Sequence, residues 1–515
     1  MPIAAARPNE TRVPSPPLPL DGSSVDVAVI GAGFGGIGAA VELARRGARV
    51  ALCESLAYPG GCASTFRRKG FAFEAGATLF SGFGPDQLFG RWIAELGLPV
   101  TIDWIDPVLE LRAPGLHLPV ARDRAVFVDT LAGLPGAPAE RVRAFFAYQR
   151  RIADVLWGLF DDPALLPPLD LAALGRHLLR SARYPALIPL LGRPLGEVLT
   201  RHGVEGFTPL RTYLDGLCQI TVQCAAAEAE APFALSAMDY AWRGTGHVRG
   251  GIGVLARALT DAVTRLGGAV HLATAVKSVR AEGGGYVLET RRGTLRARSV
   301  IANLLPHGLS ALLGPEQASP ALGRLATRVE QGWGAAMLYL VARAPEGAGE
   351  SPHHLEIVQD PAAPFIEGNH VFVSVSGARD EGRAPPGRRT LTASTHLPMA
   401  RLRSLSPIES AGYVAEVQAR MRAAIAAHAP EWAAGIEHAE TASPRTFARF
   451  TGRFAGYVGG VPRRAGLDNY RGLGPTEVWP GLFLVGDSVF PGQSTLATAL
   501  GGARVAEQVL RRLSG

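Results

Sequence analysis

The stretch from Val25 to Glu54, VDVAVIGAGFGGIGAAVELARRGARVALCE, restricts what the chain can become more than any other. Val25, Val27, Val29 and Ile30 form the short apolar run of a buried strand. Gly31, Gly33 and Gly36 then supply G-x-G-x-x-G. The first glycine allows a tight turn, the second lets a pyrophosphate approach the backbone, and the third lets helix and strand pack closely. The spacing predicts a helix from about Gly35 to Arg46, with Ile37, Val41 and Ala44 on one face and Gly47 closing it. A second strand, Val50 to Cys53, ends at Glu54, near the roughly 20-residue offset at which an acid accepts ribose hydroxyls. A glycine-rich loop alone is weak evidence. Flanked by strand, helix and acid it reads as a dinucleotide site, and the acid selects a free ribose, hence FAD or NAD over NADP.

A chain of 515 residues is long enough for two or three packed lobes. With 47% hydrophobic and 19% charged residues it reads as globular, except for the Pro-rich first 24 residues, expected to be a flexible extension without a signal-peptide core. No run approaches the roughly 18 apolar residues of a membrane span. The net charge of +7 comes almost wholly from arginine, Lys69 and Lys277 being the only lysines. Biased composition accounts for this first, and attraction to anionic headgroups second. Nucleic acid is not expected as a partner, because no basic stripe is interleaved with aromatics. Cys53, Cys62, Cys218 and Cys224 match no zinc or disulfide spacing and fit a reducing cytoplasm.

Three further segments carry information. After Glu54 comes YPGGCASTFRRKGFAFEAGATLFSGFG, in which Gly60, Gly61, Cys62, Ala63 and Ser64 permit a ligand to approach and Phe71 and Phe73 alternate like a strand. The segment His247 to His307 opens with a Gly-rich turn and a helix stopped by Gly267-Gly268, and it returns to strands near Val270, Val276, Tyr286 to Thr290 and Val300 to Ala302. The end, GLFLVGDSVFPGQSTLATALGGARVAEQVLRRL, has a buried strand at Leu482 to Val485, then Gly486-Asp487, then a helix starting near Ser494 or Thr495. A carboxylate beside a helix N-terminus can hold polar cofactor groups.

The expected fold class is α/β, with a Rossmann-type domain assembled from residues 25–100, 240–308 and 476–515. An inserted α+β substrate domain takes residues 101–239 and 309–475, with a helical subdomain at about 139–202. Within that subdomain the Pro-broken apolar stretch Arg180 to Leu199 reads as helical core or as an interfacial, membrane-facing surface rimmed by arginines.

Together these blocks, with SPRTFARFTGRFAGYVGG from Ser443 to Gly460, resemble the phytoene desaturase and carotenoid isomerase family of FAD flavoproteins, within the amine-oxidase-like superfamily. The resemblance spans most of the chain in order, and the GDS-x-F-P-G-Q ending is its more specific part. It implies that Gly31, Gly33, Phe34, Gly35 and Gly36 cradle the FAD pyrophosphate, and that Glu54 binds the adenosine ribose. It places Gly60 to Ser64 along the phosphate and ribityl side and Val276 against adenine through its backbone. It sets Gly486 and Asp487 at the ribityl-phosphate end, with Thr495 and Leu496 near the flavin ring. Many relatives carry Arg where this chain has Cys62, which removes a phosphate contact.

The same resemblance implies a long apolar polyene or lipid-like substrate, met by peripheral association with the inner face of the cytoplasmic membrane. Desaturation and cis–trans isomerisation both fit, since each leaves the hard chemistry to the cofactor and asks the protein for an apolar, water-free tunnel. An amine or small-molecule oxidase and a non-catalytic polyene-binding flavoprotein are the alternatives. No catalytic residue is assigned: Glu74, Asp239 and Arg445 are candidates near the flavin but read first as surface or ion-paired charges. Adjacent His353 and His354 with Glu356 invite a metal reading, which the alternation of an extended strand opposes. The oligomeric state is left open.

Overall fold

The computed structural model describes residues 20–514 apart from 163, 164, 168, 170 and 318. Most of the extension expected at 1–24 lies outside the described residues. Its last part is ordered, because Leu20 is buried and the first strand is Ser23–Ile30.

One sheet has eight strands. They run Val276–Glu282, Gly285–Thr290, Gly293–Asn303, Ser23–Ile30, Val50–Cys53 and Ala269–His271, with Leu482–Val485 also paired to Gly293–Asn303 and Thr476–Trp479 beyond it. The pairings around Ser23–Ile30 are parallel. Parallel strands are covered on both faces and so carry continuous apolar runs. Val27 and Val29 enter one core with Ile37, Leu43, Leu255 and Leu259, while Ala28 and Ile30 enter another with Leu288, Leu309 and Leu484. Helices Phe34–Arg45, Ile252–Arg265 and Thr495–Ser514 cover the first face.

Two expected boundaries move. A cut at residue 308 would divide the helix Pro306–Leu313, whose Leu309 and Leu313 pack under the eight-stranded sheet with Leu322. Ile102–Asp103 pairs with His247–Val248, and Ile102 packs on the cofactor-side core, so the cut at 100 falls too early.

The second sheet has seven strands, in the order Ile436–Ala442, Trp333–Arg343, Arg388–Pro398, His370–Val375, His353–Val358, Leu109–Ala113 and Leu116–Val120. One face buries Leu338, Leu340, Leu355, Ile357 and Leu391 against the helix Pro407–His428 through Val417, Met421 and Ile425. That helix is started by a Ser406–Glu409 capping box. The strand alternation sends Phe372 and Val358 the other way, into a core shared with the helices Ala139–Phe160, Leu195–His202, Thr208–Thr221 and Ala231–Ala237.

The stretch 180–199 is divided between its two readings. Leu190, Leu195, Val198 and Leu199 are core. The exposed apolar side chains lie mostly just before it, on Leu171–Arg180, at Leu171, Leu174, Leu178 and Leu179, joined by Ile188 and Leu191.

Candidate active site

The two ends of the chain meet where helix Phe34–Arg45 crosses helix Thr495–Ser514. A Cβ at Gly38 would stand 2.3 Å from the Ala499 carbonyl oxygen, and one at Gly502 would stand 1.9 Å from that of Gly35. The helices therefore touch backbone to backbone, which only glycine permits. The crossing lays Gly486 beside the N-terminal glycine loop. Asn303, at the end of Gly293–Asn303, wedges its amide between them: Cβ atoms at Gly33, Gly35 and Gly486 would lie 2.5, 2.6 and 3.0 Å from it.

Around this junction is a cavity of about 470 Å³. Its wall includes Gly31, Gly33, Phe34, Gly35, Glu54, Gly60, Gly61, Cys62 and Ala63 from the first part of the chain. Gly486, Asp487, Thr495 and Leu496 join them from its last part. Three of the expected residues stand elsewhere. Gly36 is a packing residue, its Cα facing the Gly31 carbonyl so closely that a Cβ would lie 2.0 Å away. Ser64 is buried and donates its hydroxyl to the Gly61 carbonyl at 2.8 Å, shaping the loop from behind. Val276 begins the edge strand of the eight-stranded sheet, the second strand after Gly267-Gly268 rather than the first, and is outside the wall.

The charges are arranged around backbone. Glu54 accepts from Ala32 N–H at 2.7 Å and from Leu56 N–H at 2.8 Å, so it ties the glycine loop to its own turn as well as facing the cavity. Asp487 pairs with Arg453 at 2.7 Å. Arg453 also donates to the Tyr457 carbonyl and stands beside Cys62. Burial pushes the Cys62 thiol up, against the pull of Arg453, so it is held as a neutral small side chain. The Thr495 hydroxyl oxygen is buried on the wall with no hydrogen-bond partner among the described residues. A glycine cradle at a helix N-terminus, an acid at the second strand, a guanidinium–carboxylate pair and an orphaned hydroxyl suit a phosphate-bearing, polyhydroxylated group such as FAD.

The family model for flavin containing amine oxidoreductases matches residues 34–510. The chain belongs to this family. As a flavin-containing amine oxidoreductase family member it is an FAD-dependent oxidoreductase. It is 24% identical over 500 residues to the chloroplastic prolycopene isomerase of Arabidopsis thaliana, covering 95% of this chain and 83% of that one. It is 26% identical over 518 residues to the hydroxyneurosporene desaturase of Cereibacter sphaeroides, covering 95% and 98% respectively. Among solved structures, cyclohexylamine oxidase from Brevibacterium oxydans superposes with a TM-score of 0.59 at 16% identity, over 95% of this chain and all of that one. That likeness is one of fold.

Beyond the cofactor end, the flavoprotein's cavity continues between the helical lobe and the seven-stranded sheet. Leu109, Trp157, Phe160, Leu217, Ile220 and Phe233 wall it with apolar surface. Gln223 and His396 stand 3.4 Å apart on the wall, and Gln223 donates to Gln493 at 2.9 Å.

The charged candidates left open by the sequence are structural. Glu74 is buried, pairs with Arg383 at 3.1 Å and accepts from Ile252 N–H. Asp239 is fully buried between Arg124 at 2.6 Å and Arg243 at 3.0 Å. Arg445 is exposed and off the wall. Among the described residues no cluster has the makings of a metal site. His354 stacks on Phe372, and Glu356 turns to His370.

Sequence reasoning quoted the blocks that hold Asn303 and Arg453 without singling them out. Arg453 brings a cation beside Cys62. Nothing local marks it, because it reaches the site from a distant segment.

Proposed function

We propose that this enzyme acts on a long apolar polyene, by desaturation or by cis–trans isomerisation. The observation that carries the reading is a single cavity that runs from the glycine cradle into an apolar space walled by Leu109, Trp157, Phe160, Leu217 and Phe233. The named carotenoid isomerase and desaturase relatives, which match nearly the whole chain, support it.

Bound in the cradle, FAD supplies reversible electron and hydride chemistry at carbon. The chain's own residues do the rest. Glu54, Asp487 and Arg453 would hold the cofactor's ribose, ribityl and phosphate groups. Cys62 and the small residues around it leave room for close approach. The aromatic and aliphatic wall orients the chain and keeps water out.

Access from a membrane surface completes the proposal. No helix among the described residues is long and apolar enough to cross a membrane. Yet Leu171, Leu178, Leu179 and Ile188 are 87, 75, 87 and 67% exposed. Arg176, Arg180, Arg183 and Arg193 are interspersed with them along the chain, Arg176 paired with Asp162 and Arg193 with Glu197. Exposed apolar side chains with arginines among them suit an anionic bilayer surface.

Flavin-loaded enzyme incubated with a defined polyene in liposomes tests this. A product with an added double bond assigns desaturation, and a change in double-bond geometry without net redox change assigns isomerisation. No chromatographic or absorbance change under oxidising or reducing conditions, with peroxide formed from soluble amines instead, overturns the proposal.

A further inference from the structure

The cavity holds a charge that no described residue neutralises. Arg463 lines it and is only 7% exposed. Its backbone is pinned twice: the N–H donates to the Val222 carbonyl and the carbonyl accepts from Glu230 N–H, each at 2.9 Å. The guanidinium carbon lies 5.0 Å from the centre of the Phe233 ring. Gly492 leaves room for the group, since a Cβ there would stand 3.2 Å from one of its terminal nitrogens. Beyond the ring contact, the guanidinium has no hydrogen bond and no ion pair among the described residues. Glu230 acts on it only through space. The Glu230 oxygens already accept from Gly192 N–H at 2.9 Å, from Phe233 N–H at 3.2 Å and from the Tyr470 hydroxyl. Burial, and then the positive charge of Arg328, lower Arg463 to about 10, which leaves it a cation at neutral pH.

A buried cation without a counter-charge is costly, and such a group on a cavity wall points to a ligand that supplies the anion. Resting on the polyene reading above, we propose that Arg463 binds a carboxylate at one end of the apolar substrate, which is therefore a polyene acid. Two guanidinium N–H groups donate to the two carboxylate oxygens, the planar bidentate pairing for which this side chain is suited. A hydrocarbon or an alcohol end would leave the charge uncompensated. An ammonium end would add a further positive charge to those of Arg463 and Arg328, so the same residue argues against amines.

The test is equilibrium binding of an apocarotenoic acid, its methyl ester and the matching polyene amine to the flavin-loaded enzyme. Each is supplied in non-ionic detergent micelles at about pH 8 and read by the polyene absorbance shift and tryptophan quenching. The acid is expected to bind about 30-fold more tightly than the ester, the scale of one charge-assisted bidentate pair. Arg463→Met fills the same space without the charge. It is expected to erase the preference while leaving ester affinity unchanged, which reports an intact cavity, and Arg463→Lys should recover part of the preference. Equal binding of acid and ester by the wild type overturns the acid site alone, as does an amine that outbinds the acid. A preference that survives in Arg463→Met, with the flavin reduction potential shifted instead, also overturns it and assigns the guanidinium to the cofactor. Failure to bind any of the three polyenes overturns the polyene reading with it.

Discussion

At its cofactor end the cavity is walled mainly by backbone, and at its substrate end by side chains. The first region rests on contacts such as Gly35 against Gly502 and Gly33 against Asn303, where no Cβ can be accommodated. The second rests on the side-chain alternation of a mostly antiparallel sheet, which sends Leu355 and Ile357 into a packed core and turns Glu356 to the cavity. Backbone contacts leave almost no freedom to change residue type, because the clash is with atoms that cannot move aside. Side-chain walls can be rebuilt one residue at a time. The contrast suits a fold that keeps one cofactor while its relatives are named for different reactions.

The largest expected effect breaks the backbone-built end. Gly502→Val places a side chain within 1.9 Å of the Gly35 carbonyl. It should cost roughly 4 kcal/mol or more and yield protein that is insoluble or colourless, read by solubility and flavin absorbance. A Gly502→Val protein that keeps wild-type flavin content and melting temperature would remove the basis of the contrast.

The side-chain end should show itself in acid. Burial holds His354 neutral, down to about 3 from 6.5. Its folded value lies below its unfolded one, so the unfolded chain takes up the proton first and stability falls as pH drops from about 6.5. The loss should reach about 3 kcal/mol by roughly pH 4.5. For Asp380, burial raises the carboxyl, but the hydrogen bond and charge of His247 outweigh it and hold it at about 2 rather than 3.8. That contribution is present above about pH 4 and is lost only as pH falls through 2. Thermal melting against pH, with and without His354→Phe, separates the two arms: the variant should flatten the upper one alone.

A smaller effect is expected at the junction of the regions. Arg453→Met leaves Asp487 facing the cavity without its 2.7 Å partner. Flavin affinity should fall roughly 30-fold, about 2 kcal/mol, measured by flavin release on dilution, with partial recovery in Arg453→Lys. The smallest effect on stability belongs to the outer surface. Leu178→Asp with Leu179→Asp should shift stability by no more than about 0.5 kcal/mol each, because both side chains are already exposed. The same pair should abolish flotation with anionic liposomes, and undiminished flotation would detach the patch from any membrane role.

Much of the cofactor end was legible in the sequence. The helix expected from about Gly35 to Arg46 is Phe34–Arg45, and the strands Val50–Cys53 and Leu482–Val485 fall where their apolar runs place them. Runs of this kind are local signals, since a strand buried on both faces must be apolar throughout. Glu356 was legible only as a doubtful metal ligand, because its neighbours in sequence, His353 and His354, are not its partners in space. Its partner, His370, comes from another strand, and Tyr213, on the same cavity wall, comes from a helix of a different lobe. The exposed leucines of Leu171–Arg180 were not singled out for a related reason: an amphipathic helix looks the same whether its apolar stripe is covered or bare.

By itself, then, the sequence determined the parallel cofactor sheet, the glycine turn with its acid, and the existence of a second half-site at Gly486-Asp487. Each of these is written in the spacing of neighbouring residues and the dihedral freedom of glycine. Only the tertiary structure decided that Arg453 pairs with Asp487, that Asn303 locks the glycine junction, and that a carboxylate and a phenol from separate lobes share one wall. Those pairings join residues tens to hundreds of positions apart, and no local pattern encodes which distant side chain will arrive.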